Sequence, residues 1–162
     1  FLVVVKALAY VLTLGPDGIL AAARGAVLNA NYVKARLSSA YHMAYPQTCM
    51  HEFVLTLEPE KEALGVSAMD VAKALLDHGI HPPTMYFPLI VHEALMVEPT
   101  ETESKEDLDA LVEAFLAIHD LADRDPEALR SSPHTTKVRR LDEVAAARNP
   151  RLHYDFDASA HD

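Results

Sequence analysis

The chain has 162 residues, half of them apolar and 23% charged, with ten prolines and one cysteine. Such a length and composition favour one domain with a buried core over disorder, and a net charge of −10 disfavours nucleic acid and acidic membrane surfaces as partners. Cys49 alone excludes an intrachain disulfide or a cysteine-held zinc, and it fits a reducing cytoplasm.

Phe1 to Leu14 is nearly continuously apolar, broken by Lys6 and Thr13. It reads as a helix built for burial, too short for a membrane span and without the features of a signal peptide. With no initiator Met, it is expected to be part of a longer protein and to expose an apolar patch that drives self-association. Gly15 to Gly18 reads as a turn, with Pro16 able to open a following helix. Ile19 to Leu37 has helical spacing through Leu20, Ala23, Val27, Ala30 and Lys34.

Ser38 to Thr48 is a polar connector. Cys49 to Leu57 reads as a strand in which Phe53, Leu55 and Leu57 alternate with Glu52, Val54 and Thr56. Glu58 to Gly65 reads as a charged loop. Ser67 and Asp70 form a capping-box-like start for a helix over 68–78, and Gly79 suits its C-cap. Two strands follow, Thr84 to Val91 and Ala94 to Glu98, with His92 and Glu93 near their turn. Thr100 and Glu103 predict a capping box for a helix over 101–122, with Leu108, Leu111, Val112, Phe115, Ile118 and Ala122 on one face. Asp125 to Lys137 reads as a loop, Leu141 to Arg148 as a short helix. The pattern predicts an α/β (α+β) two-layer domain, a short mixed or antiparallel sheet with helices on one face. Its parts are a helical segment over 1–40, a small domain over 41–148 and an acidic tail over 149–162.

Six words occur in order: Asn29 to Tyr32, Cys49 to Phe53, His81 to Thr84, Tyr86 to Ile90, Leu95 to Lys105 and Pro133 to Thr136. Their succession resembles the C-terminal part of glycine dehydrogenase (decarboxylating), the P-protein of the glycine cleavage system. The wording of Tyr86 to Lys105 is closer to subunit 2 of the two-subunit bacterial form. The likeness weakens after Arg148, where His153-Tyr154 stands in place of a tryptophan-containing ending. The resemblance implies the small C-terminal domain of a fold-type-I enzyme that holds pyridoxal phosphate on a lysine of a separate large domain. Glycine is decarboxylated there, and the aminomethyl group passes to the lipoyl arm of H-protein. The implied partners are that large domain, P-protein subunit 1, H-protein and glycine.

None of the six lysines lies in the family's His-Lys context, so this chain alone is expected to be inactive. Four residues are candidates to line a cleft: His51, Glu98, Thr100 and Glu101. For His51 the plainer reading is a residue at an interface with the large domain, and for Glu98 to Glu101 a strand end and helix cap. A helix start there would also offer N–H groups to an anion, although the local acids oppose one. Asn29 and Asn31 are poor helix formers set mid-helix, suited to a solvated face or an interface. Arg139 and Arg140 suit a subunit contact or plain solvent. Cys49 and His51, two apart on a strand, would share a face and could form a hydrolytic pair. That hydrolase and a non-catalytic interaction domain are the two rival functions. His78 and His81 straddle Gly79, which breaks the helical turn a metal pair needs, so no metal site is expected.

Overall fold

A computed structural model describes residues 1–153 and Phe156. The acidic tail expected over 149–162 therefore lies largely outside the described residues, as does Tyr154.

One helix, α1, runs from Leu2 to Leu37. The turn expected at Gly15 to Gly18 is instead a kink inside it, at Gly15 with φ 63° and ψ −176°. Glycine takes that positive φ without a Cβ clash, and Pro16 then opens the second helical stretch, where its missing N–H costs little. Ala30, Val33 and Leu37 at its C-terminal end are fully buried. The N-terminal half is not: Phe1 is 97% exposed, and Leu2, Val3, Leu8 and Leu12 are also open. The burial for which Phe1 to Leu14 is patterned is thus not supplied by the described residues, and the buried residues of α1, Ala30, Val33, Lys34 and Leu37, all lie in its second half. Counted across the kink, α1 is also longer than Phe1 to Leu14 implies, and by length and composition alone it is long and apolar enough to cross a membrane.

The strands β1 (His42–Met43), β2 (Phe53–Thr56), β3 (Thr84–Met85) and β4 (Ala94–Val97) form one antiparallel sheet in the order β1-β2-β4-β3. The central pair aligns Phe53 with Val97 and Leu55 with Leu95. These four join residues of α1, α3 (Ala68–Asp77), α4 (Lys105–Arg124) and α5 (Pro126–Arg130) in one core around Phe115. Val54 and Thr56, which alternate with Phe53 and Leu55, are buried too. The strand expected from Cys49 begins only at Phe53, because β4 ends at Val97 opposite it and leaves the preceding residues no sheet partner. Likewise β3 stops at Met85, since Tyr86 takes φ 57° and turns the chain.

The segment expected as a charged loop is a short helix, α2 (Glu58–Leu64), with Pro59 in its first turn. The α3 capping box is present as read from Ser67 and Asp70. Its far end closes on Gly79 at φ 72°, with Gly79 N and Ile80 N donating to Leu76 O and Leu75 O, both at 3.0 Å. The box predicted at Thr100 is displaced. Ser104 caps α4, and Asp107 Oδ2 accepts from Ser104 Oγ at 2.7 Å. Ser104-to-Asp107 gives both reciprocal bonds, which leaves Thr100 and Glu101 in the turn before the helix. A last short helix, α6, spans Glu143–Arg148.

Asp109 latches α4 to α1. Tyr32 Oη donates to it, Arg36 lies 3.3 Å away and Lys105 Nζ sits at 2.5 Å. The hydrogen bonds from Lys105 and then Tyr32 hold the Asp109 carboxyl below the usual carboxylate range. A depressed carboxyl contributes stability above its unfolded pKa of about 3.9 and loses it as pH falls through the lower folded value. We expect Asp109→Asn to lower the melting temperature at pH 7 by about 1–3 °C. Calorimetry below pH 4 should find that difference shrinking to nothing. The open apolar half of α1 carries a second expectation: this chain self-associates in light scattering across a concentration series, and Leu8→Lys with Val11→Lys returns it to monomer without loss of helicity.

Candidate active site

The antiparallel pairing of β2 with β4 brings the chain just before Phe53 beside the chain just after Val97. His51 and Glu98 leave the sheet at that common end. With Met50, Thr100 and Glu101 they face α1 across a cleft of about 410 Å³, whose helical wall is Ile19, Ala22, Ala23, Ala26 and Val27. All four residues singled out from sequence, His51, Glu98, Thr100 and Glu101, line this one cleft. Tyr10, Met50 and the α1 wall were missed. Their signal is the run of small residues Ala22, Ala23, Gly25 and Ala26, which lets a backbone approach a helix. A Cβ on Gly25 would sit only 3.3 Å from Glu101 Cβ.

The cleft is open: the side chains of His51 and Glu98 are 54% and 57% exposed. His51 Nε2 lies 3.9 Å from Glu52 Oε2 and 4.0 Å from Glu98 Oε1. The wall is apolar and the mouth acidic, with one imidazole set near two carboxylates. The helix start considered as an anion site does not fall at Glu98 to Glu101, because α4 begins after its cap at Ser104. Thr100 Oγ1 is hydrogen-bonded to Thr102 Oγ1 at 2.6 Å.

The Cys49–His51 pair rested on a shared strand face, and neither residue is in the strand. Cys49 is held through its backbone, with its N–H donating to Asn31 Oδ1 at 3.1 Å and its carbonyl accepting from Asn31 Nδ2 at 2.8 Å. Asn29 Nδ2 donates to Thr100 O at 2.8 Å. Both asparagines therefore spend their amides inside the chain. Arg140 does the same, pairing with the buried Asp70 at 2.6 Å and donating to Ser132 O. Arg139 is exposed. The Pro133 to Thr136 word explains itself here: His134 N and Thr135 N each donate to Asp77 Oδ1 at 2.7 Å.

A second cleft of about 660 Å³ lies between residues 78–84, which include His78 and His81, and Glu103, Asp107 and Leu111 of the α4 region. No lysine lines either cleft. Lys34 is buried with its ammonium donating to the carbonyls of Tyr45 and Gln47, and Lys105 is paired with Asp109. An anchor for pyridoxal phosphate needs a free amine beside phosphate-binding donors. The residues of these clefts, with carboxylates at both, do not fit that group.

A family model described as glycine dehydrogenase, C-terminal domain, matches residues 22–134. This chain belongs to that family. It is 57% identical over 154 residues to a probable glycine dehydrogenase (decarboxylating) subunit 2 of Treponema denticola, which covers 95% of the chain and 32% of that relative. The corresponding protein of Caldanaerobacter subterraneus subsp. tengcongensis is 55% identical over the same shares of each chain. A crystal structure of glycine decarboxylase (P-protein) of the glycine cleavage system, in inhibitor-bound form, superposes with a TM-score of 0.57 at 28% identity. It covers 66% of this chain and 23% of that one. The chain thus spans about a third of the length of the curated relatives it matches.

The close approach at Gly25 is testable. Gly25→Val should force the Glu101 turn off α1 and cost about 1–3 kcal/mol in urea denaturation, with the circular dichroism of the folded state unchanged.

Proposed function

We propose that this chain acts as the C-terminal domain of a glycine dehydrogenase (decarboxylating) subunit 2. The observation that carries the reading is 57% identity to such a subunit over 95% of the chain. In it, pyridoxal phosphate is anchored outside residues 1–162, on the large domain, and supplies the electron sink for decarboxylation. Subunit 1 completes the enzyme, and the aminomethyl group leaves on the lipoyl arm of H-protein. The setting is cytoplasmic.

Residues of this chain wall one side of the reacting centre. Once the large domain closes over the cleft, the apolar α1 face excludes water. Glu98 and Glu101 disfavour a carboxylate in the cleft, so the part of glycine they would meet is its ammonium group, at which His51 and Glu98 can hold a proton. The exposed half of α1 is the surface by which the domain meets the rest of the enzyme.

Assay of glycine-dependent carbon dioxide release tests this. The complete subunit 2 carrying this chain, mixed with subunit 1 and lipoylated H-protein, should release carbon dioxide, and residues 1–162 alone should release none. Turnover by residues 1–162 alone, or an inert complete mixture, would overturn the reading.

A further inference from the structure

His51 and Glu98 sit where the chain leaves the sheet, two residues before Phe53 and one after Val97, the last paired positions. Backbone pairing therefore does not fix their separation. The ties that do so come from α1. Asn31 exchanges two hydrogen bonds with Cys49, two residues before His51. Asn29 donates to the carbonyl of Thr100, two residues after Glu98, at 2.8 Å, and reaches Glu103 O at 3.5 Å. Lys34, one turn beyond Asn31, grips the carbonyls of Tyr45 and Gln47 in the same segment.

Asparagine is a poor choice for a helix interior, so these positions give up helix propensity for their amides. The Asn31 carboxamide is fully used: its Nδ2 also donates to Val27 O at 2.8 Å. Among side chains of this reach, only a carboxamide both donates and accepts in one plane. Aspartate keeps the acceptor and loses the donor; alanine loses both.

We propose that Asn29 and Asn31 are positioning residues, which tie the two cleft loops to one helix and thereby set the spacing of His51 and Glu98. The proposal rests on the reading of the cleft given under the proposed function. Two loops held independently to one rigid helix keep their relative position when either is pushed. A small misplacement of groups around a substrate costs up to about a hundredfold in rate.

The test uses the assembled two-subunit enzyme with H-protein. Asn31→Ala and Asn31→Asp should speed amide hydrogen exchange in the segment carrying the Cys49 N–H, and Asn29→Ala should loosen the segment at Thr100. Each should raise the glycine KM by about tenfold and leave the KM for H-protein in place. Partial unfolding would lower kcat alone and leave the glycine KM where it was, so the split separates positioning from stability. Asn31→Asp, which keeps the acceptor for Cys49, is the variant to read if the alanine form does not fold. Faster exchange with an unchanged glycine KM would overturn the proposal, as would unchanged exchange. His51→Ala and Glu98→Ala run alongside. If they raise the glycine KM and the asparagine variants do not, the positioning claim alone fails. If none of them moves it, the cleft reading fails as well.

Discussion

The pairing of β2 with β4 is the constraint on which the rest depends. It sets Phe53 against Val97 and Leu55 against Leu95, and the four side chains close the core with α1, α3 and α4. A slip of one residue would turn all of them to the opposite face. The same register decides that the segments of Cys49 to Glu52 and of Glu98 to Glu101 emerge together. Core packing and the proximity of the two cleft segments are thus consequences of one alignment. The helix α1 then converts that proximity into a fixed shape, because its second half is at once a core element, through Ala30, Val33 and Leu37, and the anchor for both loops.

The division of α1 into a buried half and an open half gives the domain its character. Up to the kink at Gly15 the helix is apolar without a cover among the described residues. Beyond it, small residues give way to the polar positions Asn29, Asn31, Tyr32, Lys34 and Arg36, each engaged with another element or a connecting loop. A helix built this way is stable only where its second half is packed, since isolated helices owe little to propensity. Its first half is suited to a larger apolar surface, in keeping with the proposed place of the chain within a longer enzyme.

Much of this was legible in the sequence where local chemistry is decisive. Ser67 with Asp70 and Gly79 marked both ends of α3, because caps and left-handed turns demand particular residues. The ordered words from Asn29 to Thr136 pointed to the family, and the four cleft residues chosen from them fall in one cleft. Illegible were features set by competition or by partners distant in sequence. The capping box read at Thr100 and Glu103 was one of these, since the structure caps α4 four residues later, at Ser104. The strand at Cys49 could not be trimmed without knowing that β4 ends at Val97. Asn29 and Asn31 could be read only as residues of a solvated face or an interface, because their acceptors lie 71 and 18 residues away.

The claim that this cleft forms part of a reacting centre is tested most directly by a structure of the two-subunit assembly with glycine bound. The account predicts His51 and Glu98 in contact with the ligand pocket and residues 1–14 of α1 covered by neighbouring protein. A pocket that is closed entirely by other parts of the enzyme, with the His51–Glu98 cleft opening to bulk solvent, would contradict it.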